Sequence, residues 1–155
     1  MAVYDYDKLI AETRRIAYEY RRTTGQTLPL TAEIARFDAK RLLKLDDPPQ
    51  DLSGVDAIKT IDGQQINYLI KGRAFFKTER SGQRLGALNI DGLWERVLLV
   101  QLDETYQTVS IYEATRSRLV ETLAMSKPNK RGSITVGKFR AVSEKIWCLD
   151  TAQPQ

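Results

Sequence analysis

Histidine is absent from this chain and cysteine occurs only once. Without histidine, the chain can form neither a Ser-His-Asp triad, nor a histidine-ligated zinc site, nor a histidine-dependent nuclease site. The single Cys148 excludes an intrachain disulfide and a cysteine-rich metal site, and its neighbours Trp147 and Leu149 favour buried packing over a reactive thiol. Any catalysis must therefore use carboxylates, lysines, arginines, hydroxyls or a bound metal ion.

Long hydrophobic segments are also missing. No run approaches the roughly 18 uninterrupted apolar residues that indicate a membrane-spanning helix. The first residues, M-A-V-Y-D-Y-D, contain two acids and no apolar core, so they do not read as a secretory signal. We therefore expect no membrane association and a cytoplasmic location. The length of 155 residues predicts one domain over residues 1–150, followed by a disordered tail at 151–155.

Positive charge is concentrated in two segments. Residues 71–84 carry five basic side chains against one acid, and residues 127–145 carry six against one, whereas the rest of the chain is net negative. Such a distribution favours a surface that binds a polyanion, with two solvated faces as the alternative. The predicted phosphate or DNA contacts in these segments are Lys77, Arg80, Lys130, Arg131 and Lys138.

Periodicity and turn signals predict the order helix, helix, four-stranded meander, helix, helix. The strands are predicted at 55–61, 65–76, 96–102 and 107–113, with a hairpin at Asp62-Gly63 and a long loop over 77–92. The helices are predicted from Asp5 or Asp7 to Arg22, and over 32–45, 115–125 and 135–147. The expected fold is an α+β layer sandwich, in which helices flank a central, mostly antiparallel four-stranded sheet.

Asp56 and Lys71 are the most informative pair in the chain. Asp56 lies where the chain enters the first strand, and Lys71 interrupts an apolar stretch of the second. A lysine in an inner strand needs a partner or a function, and Asp56 is the candidate partner across the hairpin. A carboxylate beside a fixed positive charge suits a divalent cation and a phosphodiester. A plain edge-strand or turn aspartate is the alternative for Asp56 taken alone.

This arrangement resembles the PD-(D/E)xK, or restriction-endonuclease-like, superfamily over about residues 28–76, with a compatible continuation to 147. The segment L-P-L-T-A-E-I-A-R-F-D-A-K-R-L-L supplies Glu33 on the preceding helix, G-V-D-A supplies Asp56, and L-I-K-G-R supplies Lys71. The resemblance implies that Glu33 and Asp56 bind Mg²⁺ or Mn²⁺, that Lys71 orients water or stabilises charge, and that Arg73 contacts a phosphate. The chain departs from the family pattern at Leu69, where an acid or glutamine is usual.

Three functions remain open at this point. The first is a Mg²⁺-dependent DNA endonuclease of a restriction or phage-defence type, for which a homodimer would suit double-strand cleavage. The second, which Leu69 favours, is a catalytically inactive relative that binds DNA or a protein partner. The third is a structural interaction protein. Trp94 and Trp147 are predicted to lie in the core, whereas Phe75 or Phe76 can stack on a base.

Overall fold

The computed structural model describes residues 5–28, 30–49, 52, 54–76, 83–125 and 133–149. These residues form α1 (Tyr6–Thr24), α2 (Thr31–Leu43), β1 (Ala57–Ile61), β2 (Gln64–Ala74), β3 (Arg84–Ala87), β4 (Arg96–Leu102), β5 (Thr108–Thr115), α3 (Arg116–Met125), β6 (Ser133–Thr135), α4 (Val136–Val142) and β7 (Glu144–Cys148). None of the helices in these ranges is long and apolar enough to cross a membrane. The tail predicted at 151–155 lies outside the described residues.

Five strands form a mixed sheet in the order β1-β2-β4-β5-β7. Neighbouring strands are antiparallel except β2 and β4, which run parallel. Strands β3 and β6 form a separate two-stranded antiparallel sheet. The predicted α+β class is therefore confirmed, and the sheet is mostly antiparallel, but the prediction of a four-stranded meander is wrong, since the sheet has five strands and one parallel pair. The long connection between β2 and β4 explains the parallel pairing, because a parallel pair needs a crossover and cannot be joined by a tight turn.

A strand replaces the second half of the last predicted helix. The helix predicted over 135–147 ends at Val142, where Ser143 adopts an extended conformation. Residues 144–148 then pair with β5 as β7. Isoleucine and tryptophan favour a strand, and the pairing satisfies an edge of β5 that would otherwise be open. The loop predicted over 77–92 contains β3, whose partner β6 is remote in sequence and gives no local signal.

Helix α2 covers one face of the sheet and approaches β2 closely at Gly72. A Cβ atom at this position would lie 2.4 Å from the Cβ of Ala35 and 3.0 Å from the carbonyl oxygen of Thr31. Because side chains alternate along a strand, the odd-numbered residues of β2 face the other side. The apolar core beneath α2, called the first core, includes Ile34, Ala35, Ala39, Tyr68, Ile70, Ala74 and Leu98.

A buried carboxylate ties α1 to α2 and to the end of the sheet. Asp38 is 1% exposed, and its Oδ2 atom accepts hydrogen bonds from Arg14 Nη2 at 2.6 Å and from Thr108 Oγ1 at 2.7 Å. Arg14 Nε also donates to the carbonyl oxygen of Tyr106 at 2.6 Å, in the turn between β4 and β5. These contacts fix α1 against α2 and against the turn between β4 and β5.

The opposite face of the sheet is covered by α3, α4 and the β3–β6 sheet. The apolar core on this face, called the second core, includes Leu85, Trp94, Leu99, Tyr112, Leu119, Ile134 and Phe139. Trp94 is buried there, and Trp147 packs partly against the first core, so the core positions predicted for both are confirmed. The prediction of a buried Cys148 is wrong, since its side chain is exposed. Adjacent residues of a strand face opposite sides, and Cys148 follows the inward Trp147.

Candidate nucleic-acid interface

Asp56 immediately precedes β1 and is held to β2 by two hydrogen bonds. Its N–H donates to the carbonyl oxygen of Tyr68 at 2.8 Å, and its Oδ2 atom accepts the N–H of Ile70 at 2.8 Å. Its Oδ1 atom accepts no hydrogen bond from any described residue. The half-buried Asp56 therefore acts as a main-chain acceptor at the entry to the sheet, and it keeps one carboxylate oxygen available.

Lys71 lies in β2 on the face turned away from α2. Burial lowers the pKa of the half-buried Lys71 ammonium, the nearby Arg73 lowers it further, and Asp56 raises it. The structure thus brings Asp56 near Lys71, but the two do not form an ion pair. In the described part of the chain, the ammonium has neither a hydrogen bond nor an ion pair. Because a half-buried charge without a partner is unfavourable, this group is suited to receive an anion.

Arg73 shares this face of β2 and connects the main sheet to β3. Its Nε atom donates to the carbonyl oxygen of Arg84 at 2.8 Å, and Nη1 donates to that of Gly72 at 2.5 Å. Burial lowers the pKa of the Arg73 guanidinium. These two bonds use two of the five N–H donors of the side chain, so the others can still contact a phosphate.

The other two members of the predicted site do not complete it. Leu69 shares the face of Lys71 and packs partly against the second core, where it offers no ligand to a cation. Glu33 is exposed on α2 and pairs with Arg36. Because α2 covers the opposite face of the sheet, the fold does not bring Glu33 to Asp56 and Lys71. Its predicted role as a metal ligand remains a prediction without geometric support.

The predicted Mg²⁺ or Mn²⁺ site would need several hard oxygen ligands around Asp56. Among the residues that the structure describes, no group of three or more acidic or cysteine side chains is placed to hold a metal ion. One oxygen of Asp56 is already engaged by the N–H of Ile70. The donor atoms in the described ranges therefore do not fit a firmly bound divalent cation, and metal dependence remains a prediction.

The β3–β6 sheet joins the two basic segments. Arg84 of the first segment lies beside Thr135 of the second. The hydroxyl of Thr135 in turn accepts the N–H of Lys138 at 3.1 Å, at the start of α4. Main-chain contacts thus connect Arg73 through Arg84 and Thr135 to Lys138. The other predicted contacts, Lys77, Arg80, Lys130 and Arg131, lie outside the described residues.

The fold also groups residues that the sequence did not indicate as a site. The guanidinium carbon of Arg140 lies 5.2 Å from the centre of the Tyr112 ring, and the Nζ atom of Lys145 lies 5.6 Å from it. Sequence reasoning placed both cations on one helix, whereas β7 brings Lys145 beside Tyr112. The only usable signal was the high positive charge of residues 127–145.

The paired phenylalanines after β2 are part of the core. Phe76 is buried, packs edge-on against Tyr106 with ring centres 6.2 Å apart, and carries the Arg21 guanidinium 3.7 Å above its ring. Phe75 packs partly against the second core. Phe76 therefore offers no open ring to a base.

Comparison of the sequence with protein-family models and with curated proteins gives no match. The likeness to the PD-(D/E)xK superfamily therefore stays a prediction, which rests on the order of Glu33, Asp56 and Lys71 along the chain. Function must be argued from the groups at the site, since a fold class alone does not define one.

Proposed function

We propose that this chain is a nuclease-like DNA-binding domain that holds a backbone phosphate on the face formed by Lys71 and Arg73. The observation that carries this proposal is the half-buried Lys71 ammonium, which has no hydrogen bond or ion pair in the described part of the chain. Arg73 on the same face adds a second positive charge, which lowers the pKa of Lys71. A bound phosphate would offset the energetic cost of burying the charged ammonium. It would also reduce the repulsion between the two cations.

Asp56 has a positioning role in this proposal. Its carboxylate fixes the entry of β1 against β2 through the N–H of Ile70. Its negative charge also raises the pKa of Lys71, in opposition to burial and Arg73. Asp56 therefore favours the protonated form of Lys71, which is the form that binds a phosphate.

Metal-dependent DNA cleavage is the second candidate. It is favoured by the Oδ1 atom of Asp56, which accepts no hydrogen bond from the described residues and lies in the neighbourhood of Lys71. Leu69 and the position of Glu33 weigh against it, because they leave Asp56 without a second carboxylate. A homodimer is expected only under this candidate, since cutting both strands requires two sites.

Binding is tested by fluorescence anisotropy with a labelled DNA duplex in the presence of EDTA. The proteins compared are the wild type, Lys71→Gln and Lys8→Gln, which removes the same charge from an exposed site on α1. Loss of a charge-assisted contact should weaken binding by roughly tenfold in Lys71→Gln. The Lys8→Gln protein should bind within about twofold of wild type, since a remote exposed charge contributes little. Equal affinities for wild type and Lys71→Gln would overturn the proposal.

Cleavage is tested separately on supercoiled plasmid with Mg²⁺ and with Mn²⁺. The wild type is compared with Asp56→Asn and Lys71→Gln at equal concentrations. Cleavage by the wild type that is lost in both variants would establish the nuclease candidate. Binding without cleavage in either metal would support the DNA-binding domain.

A further inference from the structure

A second group of unpaired cations lies at the other end of the sheet from Lys71. Arg140 of α4 and Lys145 of β7 are both exposed, and both lie over the ring of Tyr112. Neither side chain forms a hydrogen bond or an ion pair with any residue in the described ranges. Tyr112, Gly137, Arg140 and Ala141 line a shallow depression at this point.

The arrangement places two cations beside one ring, and neither forms an ion pair with an acid in the described ranges. The faces of aromatic rings attract cations, which helps to hold both groups near Tyr112. Two cations beside one ring, neither of them in an ion pair, favour the approach of an anion. Space for such an anion exists above α4, because a Cβ atom at Gly137 would have no neighbouring atom within 4 Å.

The position of this depression relates it to the Lys71 face. Lys71 pairs with Leu99, Leu99 with Tyr112, and Tyr112 with Lys145 across four successive strands. With strands about 4.8 Å apart, the backbones at Lys71 and Lys145 are roughly 14 Å apart. A few nucleotides of one strand can span a distance of this size.

We propose that the depression lined by Tyr112, Gly137 and Arg140, with Lys145 beside the same ring, binds a second backbone phosphate of the same nucleic-acid strand. The inference rests on the proposed function, because it places the first phosphate at Lys71. A strand bound in this way passes over the layer formed by α4 and the β3–β6 sheet, because Leu99 between the two sites is buried beneath that layer. Arg84 of β3 and Lys138 of α4 belong to this layer.

The test uses the salt dependence of binding to a labelled 12-nucleotide single strand. The variant Arg140→Gln/Lys145→Gln is compared with wild type and with Arg15→Gln/Arg22→Gln, which removes the same charge from exposed positions of α1. Each lost phosphate contact lowers the slope of log K against log salt by about 0.7, so the first variant, which loses one phosphate, should show a slope smaller by about 0.7. The α1 variant should keep the wild-type slope. A slope in Arg140→Gln/Lys145→Gln equal to that of the α1 variant would overturn the inference.

Comparing the two sets of variants shows which of the two proposals, the Lys71 site or the second phosphate site, fails. If Lys71→Gln binds like wild type while Arg140→Gln/Lys145→Gln does not, the proposed function fails and the second site stands. If only Lys71→Gln is impaired, the second site fails and the proposed function stands. A free nucleotide is tested with ATP as competitor. ATP binding as tight as that of the 12-nucleotide strand, and lost in Arg140→Gln/Lys145→Gln, would overturn the assignment to a nucleic-acid backbone.

Discussion

The main-chain N–H of Ile70 donates a 2.8 Å hydrogen bond to the carboxylate of Asp56. The aspartate that the sequence indicates as a catalytic residue is therefore also part of the fold. A loss of activity in an Asp56 variant consequently has two possible origins, a missing charge or a displaced β1 strand. Stability measurements separate them.

Replacement of Asp56 by alanine should destabilise the protein, because the N–H of Ile70 then loses its acceptor. We expect a cost of about 1–2 kcal/mol in the free energy of unfolding for Asp56→Ala. Asp56→Asn keeps a carbonyl oxygen at the same place and should lose less. Urea unfolding at neutral pH measures both values. Equal stabilities of the two variants would show that the hydrogen bond does not support β1.

Alanine at Gly72 should disrupt the contact between β2 and α2. The added methyl group would meet the Cβ of Ala35 at 2.4 Å, well inside van der Waals contact. We expect a loss of about 1–3 kcal/mol in the free energy of unfolding. Gly137→Ala is the matched control, since its methyl group meets nothing within 4 Å and alanine favours a helix by about 0.5–1 kcal/mol. A Gly72→Ala protein as stable as the control would contradict the close packing.

Replacement of Lys71 by methionine should not destabilise the protein at neutral pH. Because the pKa of Lys71 is lowered in the folded protein, the folded state binds fewer protons than the unfolded state between the two pKa values. The pH window lies between the lowered pKa of the folded state and the ordinary lysine pKa of the unfolded state. Across this window the contribution of Lys71 to stability rises as the pH increases. Below the window the charged lysine opposes folding, and methionine removes that penalty.

Urea unfolding of wild type and Lys71→Met at pH 7 and pH 10 checks this expectation. The advantage of Lys71→Met should be larger at pH 7 and shrink at pH 10, where wild-type Lys71 is less charged. A variant that is less stable than wild type at pH 7 would mean that Lys71 serves the fold rather than a ligand.

Among the acidic residues of α1 and α2, Asp38 should be the one whose replacement destabilises the protein most. Asp38→Ala leaves Arg14 and Thr108 without their shared acceptor, and breaking a buried pair of this kind costs about 3–5 kcal/mol. Because Arg14 is partly exposed, we expect the lower end of that range. The control Glu19→Ala removes a surface ion pair with Arg22 and should change little. Thermal unfolding of both variants measures the difference. Similar melting temperatures would contradict the role of Asp38.

Local signals predicted much of the central sheet. The apolar run at 96–102 matches β4, because a strand covered on both faces is apolar at nearly every position. The Asp62-Gly63 hairpin is also confirmed, since both residues adopt the positive φ angles that this dipeptide favours. The closeness of Asp56 to Lys71 followed from the same hairpin, because its register is fixed by a short turn.

Features that depend on distant residues could not be predicted. The pairing of β3 with β6 and the addition of β7 to β5 join segments whose own sequences are short and weakly patterned. Glu33 illustrates the same limit at the site. Its order in the chain matches the family pattern, but α2 packs on the face of the sheet opposite Lys71. Helical periodicity gives the face of a helix that is buried, and it does not give the side of the sheet on which the helix lies.

The salt dependence of DNA binding in EDTA tests the central claim most directly. Affinities of wild type and Lys71→Gln for one duplex are measured from low to moderate salt. We predict that the wild-type affinity falls steeply with salt, and that the slope for Lys71→Gln is smaller by about 0.9, the contribution of one phosphate contact. An unchanged slope and affinity in Lys71→Gln, or no DNA binding by the wild type at low salt, would contradict a phosphate site at Lys71.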